Sequence, residues 1–126
     1  MQSKTERLIR QLLAKTHEGK IKWERTVENG VFQAAFPGYS VRVYGKRSTQ
    51  YDASMDFFLE VWDDEGEIVE VISDSDFHSL IGSDISPNAY SIMKELFETA
   101  RRKAMGVESA LEKILSELEA DENTPF

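Results

Sequence analysis

Hydrophobic positions fall at helical spacing at both ends of the chain and alternate with polar ones every second residue in between. Leu8, Ile9, Leu12, Leu13 and Thr16 recur three and four residues apart, so they line one side of a helix. Ser3 and Glu6 have the spacing of a capping box, and Gly19 suits the left-handed residue that closes a helix. The first helix is expected over 4–18.

From residue 21 the period is two. Ile21, Trp23, Arg25 and Val27 alternate with Lys22, Glu24 and Thr26, as in a half-buried strand, and Asn29-Gly30 marks a hairpin turn because both residues tolerate positive φ. A second strand is expected over 31–36, closed by Pro37-Gly38, and a third over 39–44 with Tyr39, Val41 and Val43 on one face. Residues 46–54 are polar and aperiodic, which predicts a loop. The next strand, 55–62, puts Phe57, Leu59 and Val61 on one face and Phe58 and Trp62 on the other; Asp63-Asp64-Glu65-Gly66 then turns it into 67–72. Short strands joined by tight turns predict an antiparallel meander.

Residues 73–85 are rich in Ser and Asp, with Phe77, Leu80 and Ile81 to pin the connection to the core. Ser86-Pro87 is an N-cap followed by proline at the first helical position. Tyr90, Met93, Phe97, Ala100 and Ala104 form the next apolar stripe, and Val107, Leu111, Ile114, Leu115 and Leu118 form another after Gly106. An unbroken helix over 87–119 would be a rod of about 50 Å, so either Gly106 bends it or its end projects. The tail, 120–126, is expected to fray. The expected fold class is α+β in a single domain over 1–126: an N-terminal helix, a five-stranded antiparallel meander, and C-terminal helices packed on one face of the sheet.

Composition narrows the function classes. A chain of 126 residues with 40% hydrophobic and 30% charged side chains is built to fold rather than to stay disordered. The absence of cysteine removes disulfides, thiolate metal ligands and a thiol nucleophile. The polar start and the lack of an apolar run near 18 residues predict a cytoplasmic protein with no membrane segment.

The net charge of −8 argues against a nucleic-acid coat. That total hides a polarity. Residues 1–47 carry ten basic and four acidic side chains, a net of +6, and the remaining residues carry five basic and nineteen acidic, a net of −14.

Candidate chemistry is sparse. Only His17 and His78 are available as near-neutral bases, and His17 in the last turn of its helix suits the dipole there. Ser75, Asp76 and His78 are the residue types of a hydrolytic triad, but they are sequence neighbours and no G-x-S-x-G elbow accompanies them. The carboxylates of Asp63, Asp64, Glu65 and Glu67 attract cations in principle, yet they lack EF-hand spacing and fit an exposed turn. Gly38, Gly45, Gly66 and Gly82 stand alone at turn positions and make no phosphate loop. No catalytic, metal or cofactor residue is assigned.

Two basic surfaces stand out as candidate interaction sites. Lys4, Arg7, Arg10, Lys15, Lys20 and Lys22 cluster in the first third, and Arg101 and Arg102, with Lys103, form a basic island in the acidic part. Each could meet the chain's own acids or a partner's.

The stretch Leu12-Leu13-Ala14-Lys15-Thr16-His17-Glu18-Gly19-Lys20-Ile21-Lys22-Trp23 resembles the opening of a group of small uncharacterised bacterial proteins that share an L-x-x-T-x-x-G-x-I-x-W pattern. Ala100-Arg101-Arg102-Lys103-Ala104 and the apolar run that follows are similar to their closing helix. The resemblance implies a fold and a bacterial origin, and it transfers no catalytic residue.

Together these features lead us to expect a non-enzymatic interaction or regulatory module, homodimeric through Val107, Leu111, Ile114 and Leu118. The alternatives are an acidic chaperone, immunity or antitoxin-like protein that masks a basic partner, a small-ligand binder or enzyme walled by Trp23, Tyr44, Phe58 and Trp62, and nucleic-acid binding by the basic third.

Overall fold

A computed structural model describes residues 4–47, 55–74 and 89–121. The elements run α1 (Lys4–His17), β1 (Glu24–Arg25), β2 (Phe32–Phe36), β3 (Tyr39–Arg47), β4 (Met55–Asp63), β5 (Ile68–Ser73), α2 (Ala89–Met105) and α3 (Val107–Asp121). The five strands form one antiparallel sheet in the order β1-β2-β3-β4-β5, the meander expected from the turn signals. Ser3, residues 48–54, Ser75, Asp76, Phe77, His78, Leu80, Ile81, Gly82, Ser86-Pro87 and the tail from 122 lie outside the described residues, as do the expectations attached to them.

Helix α1 ends as its glycine predicts. Gly19 has a φ of 75°, its N–H donates to Thr16 (3.0 Å), and the Lys20 N–H donates to Lys15 (2.9 Å), which is the paired bonding of a Schellman motif. The chain leaving this cap differs from the expected long strand. Only Glu24 and Arg25 pair with β2, and Val27 is fully exposed.

The cause is local. Trp23 is buried in the core, its indole N–H donating to the Thr16 hydroxyl (2.9 Å), so the alternation at Ile21 and Trp23 records packing next to α1. Thr26 then closes the turn, bonding the Val31 carbonyl (2.9 Å) and accepting from the Glu28 N–H (3.2 Å).

The other hairpins follow their turn chemistry. Pro37-Gly38, with Gly38 at a φ of 78°, joins Phe36 to its partner Tyr39. Between β4 and β5 the Asp63 carboxylate accepts from the Glu65 and Glu67 N–H groups (both 2.9 Å), so this acid builds the turn. Strand β3 is longer than its periodicity suggests and includes Lys46 and Arg47, which the sequence assigns to a loop. Gly45 is therefore a strand residue and no turn glycine: it sits opposite Phe57, where a Cβ would come within 3.2 Å of that ring. A bulge in β5, where Val61 faces Glu70 but Trp62 faces Ile68, shifts the last pairing by one residue.

One face of the sheet supplies Phe32, Ala34, Val41, Val43, Phe57, Leu59 and Ile72 to a single core cluster. Helix α2 lies on that face. Phe97 packs between Phe32 (5.9 Å) and Phe57 (5.5 Å), and Tyr90 meets Phe57 from the helix start (5.5 Å). Helix α1 runs against α2 and adds Ile9 and Leu12 to the same cluster, so α2 is apolar on two sides: Ile92 and Leu96 are buried as deeply as the expected Met93 and Ala100. Beyond Met105, Gly106 adopts a φ of 65° and interrupts the helix; α3 starts on its far side and, among the described elements, approaches only α2.

Candidate functional site

Among the described residues two surfaces are left uncovered by this packing. The first is α3. All of residues 108–120 are exposed, and the large apolar side chains Leu111 (46%), Ile114 (56%), Leu115 (51%) and Leu118 (58%) stay about half accessible, with Val107 less so at the helix start. Spacings of four, three and four residues from Val107 through Leu111 and Ile114 to Leu118 put these on one stripe. Basic Arg101, Arg102 and Lys103 precede the stripe and acidic Glu117, Glu119 and Asp121 end it. Arg102 pairs with Glu108 across the Gly106 break, and Arg101 lies 3.7 Å from Glu98.

The second surface is the sheet face turned away from α2. Tyr44 and Phe58 stack there, with ring centres 5.3 Å apart, and the Arg42 guanidinium lies 4.2 Å from the centre of the Trp62 ring. Glu60 accepts from the Tyr44 hydroxyl (2.7 Å) and the Trp62 indole N–H (2.9 Å). Burial of the Tyr44 phenol, its bond to Glu60 and the negative charges of Glu60 and Glu28 push its pKa well above the ordinary tyrosine value, so the hydroxyl stays protonated. Of the four aromatic walls expected on one surface, Tyr44, Phe58 and Trp62 share this face. Trp23 does not: it is buried among α1 and the core, because its indole N–H is held by Thr16.

Some cations of the basic first third are paired within it. Arg10 is half-buried on Glu6 (2.9 Å), Lys15 and Lys20 both reach Glu18 (3.8 and 3.0 Å), and Lys4, Arg7 and Lys22 point outward as exposed cations. His17 ends α1 with its Nε2 2.5 Å from the Glu95 carboxylate on α2, both side chains about half exposed. Among the described residues no group of His and acidic side chains is arranged to hold a metal ion, and no helix is long and apolar enough to cross a membrane.

The sequence could indicate the open-face residues, since alternation puts Arg42, Tyr44 and Lys46 on one side of β3 and Phe58, Glu60 and Trp62 on one side of β4. The exchange of partners among Arg42, Glu60 and Trp62 depends on the register, which alternation leaves open. Comparisons of the chain with family models, with curated proteins and with solved structures return no match.

Proposed function

We propose that this chain is a non-enzymatic interaction module that pairs with a second copy of itself through α3. The observation that carries this reading is the continuous exposure of residues 108–120 around the stripe of Leu111, Ile114, Leu115 and Leu118. A helix of 15 residues is marginal in water by itself, so packing of its apolar side is what stabilises it. The described residues supply almost none.

The helix dipoles favour a second copy laid antiparallel, in which the two oppose. The seam is short against the roughly 800 Å² per partner of a stable complex, so the dimer should be reversible and concentration-dependent.

Light scattering across micromolar to millimolar protein tests this. The native chain should shift from monomer toward dimer, and the Leu111→Asp, Leu118→Asp double variant should remain a folded monomer throughout. A native chain that stays monomeric at the highest concentration, or a double variant that dimerises as well as the native chain, refutes the proposal.

A further inference from the structure

The open face of the sheet suggests a separate site, independent of α3. We infer that it binds a small aromatic carboxylate, with Arg42 and Lys46 holding the anion and Val31, Ile68 and the edge of Trp62 as the wall for its ring.

Arg42 and Glu60 are direct partners in the β3–β4 register, a placement in which opposite charges ordinarily pair. Here they do not. Glu60 gives one oxygen to the Tyr44 hydroxyl and the other to the Trp62 indole N–H, both neutral donors. Arg42 instead sits over Trp62, its guanidinium carbon 4.2 Å from the ring centre, and its Nε–H donates to Gln33 Oε1 (2.9 Å). These two contacts hold the guanidinium in place and leave its terminal nitrogens without a protein acceptor among the described residues. Lys46, four residues along the same face, makes no ion pair among the described residues although Asp56 is its register partner; its Nζ hangs 5.6 Å from the Tyr44 ring and 6.0 Å from the Phe58 ring.

The space in front of these cations is a hollow of about 260 Å³ with Val31, Trp62 and Ile68 as apolar walls. That is just below the roughly 300–1,000 Å³ usual for ligand pockets, so it fits one ring and its substituent, and a whole nucleotide is too large. A guanidinium held in place offers two parallel N–H groups to the two oxygens of a carboxylate, and an aromatic ring attached to that carboxylate can lie against Val31 and Ile68, at the edge of the Trp62 ring that Arg42 leaves open. Glu28 and Glu60 also border the hollow. Their charge selects against a dianion such as phosphate.

Nuclear magnetic resonance titration of the full chain with benzoate tests the site, with acetate, inorganic phosphate and benzylamine as comparisons. Benzoate should shift the Trp62 indole and Arg42 Nε resonances at low-millimolar concentration and leave the buried Trp23 indole unmoved. Acetate and phosphate should bind at least about tenfold more weakly, and benzylamine should leave these signals in place. Arg42→Gln should weaken benzoate by about tenfold or more and Lys46→Gln by a few fold, while Arg42→Lys, which keeps the charge but loses the fork, should weaken it nearly as much as Arg42→Gln. No open-face shift with benzoate, equal binding of phosphate or benzylamine, or full affinity in Lys46→Gln together with either Arg42 variant overturns the assignment. If Arg42→Gln unfolds, Lys46→Gln and the benzoate-to-acetate ratio decide it.

Discussion

Thr16 shows how one polar residue can organise a junction. It is fully buried, its hydroxyl donates to the Leu12 carbonyl (2.5 Å) and accepts from the Trp23 indole (2.9 Å), and it thereby ties the last turn of α1 to the chain beyond the cap. Its helical position was legible in the sequence; its bond to Trp23 was not, because the same alternation that buries Trp23 also describes a strand edge. Replacing Thr16 by Val keeps the shape and leaves the indole N–H buried without an acceptor, which should cost about 1–3 kcal/mol. Thr16→Ser keeps the acceptor and loses one methyl, and should cost only about 1 kcal/mol. Denaturant unfolding of both variants measures this, and a Ser variant as damaged as the Val variant would mean that packing, with no help from the hydrogen bond, holds the junction.

The elements that formed as their patterns predict are those whose faces meet a single neighbour. Strands β3 and β4 have one buried and one open face, and their alternation reads cleanly. Helix α2 packs between the sheet and α1, so Ile92 and Leu96 belong to its buried surface although they lie outside a single stripe. For α3 the sequence shows an apolar stripe but cannot say whether anything covers it.

Gly106 left the choice between a bent and a straight helix open, and its φ of 65° decides for a break. A Cβ added there meets nothing within 4 Å, so alanine would be strained by backbone conformation alone, by about 1–2 kcal/mol. Few contacts hold α3 at its present angle. Gly106→Ala should therefore relieve the strain by joining α2 and α3 into one helix. Because the chain has no cysteine, probes at Lys94→Cys and Ser116→Cys report the change directly, and their backbone separation should lengthen to about 33 Å, the rise of 22 helical residues. An unchanged distance would show that contacts across the break outweigh the strain.

At the scale of the whole molecule, the separation of charge along the sequence does not become, among the described residues, a set of bridges between its basic and acidic parts. Among the described residues Arg10, Lys15 and Lys20 pair with Glu6 and Glu18 inside the first third, and Arg101 and Arg102 pair with Glu98 and Glu108 inside the acidic part. The contact of His17 with Glu95 is the one that crosses. Apart from Arg10–Glu6, whose carboxylate is buried, these pairs are exposed and contribute about 0–1 kcal/mol each, and most of them close within a turn or two of helix. The larger long-range effect is then repulsion within a chain of net charge −8, most of it among the acids of the later residues. Raising sodium chloride from about 0.01 to about 1 M shortens the screening length from about 30 to about 3 Å and should relieve that repulsion. The expected result is a gain of about 1 kcal/mol, or roughly 3–6 °C in Tm. His17→Gln should leave that gain in place, since one exposed contact does not set it. If Tm instead falls as salt is added, attraction between the basic and acidic parts dominates, and the two ends stabilise each other through space rather than through the pairs they form.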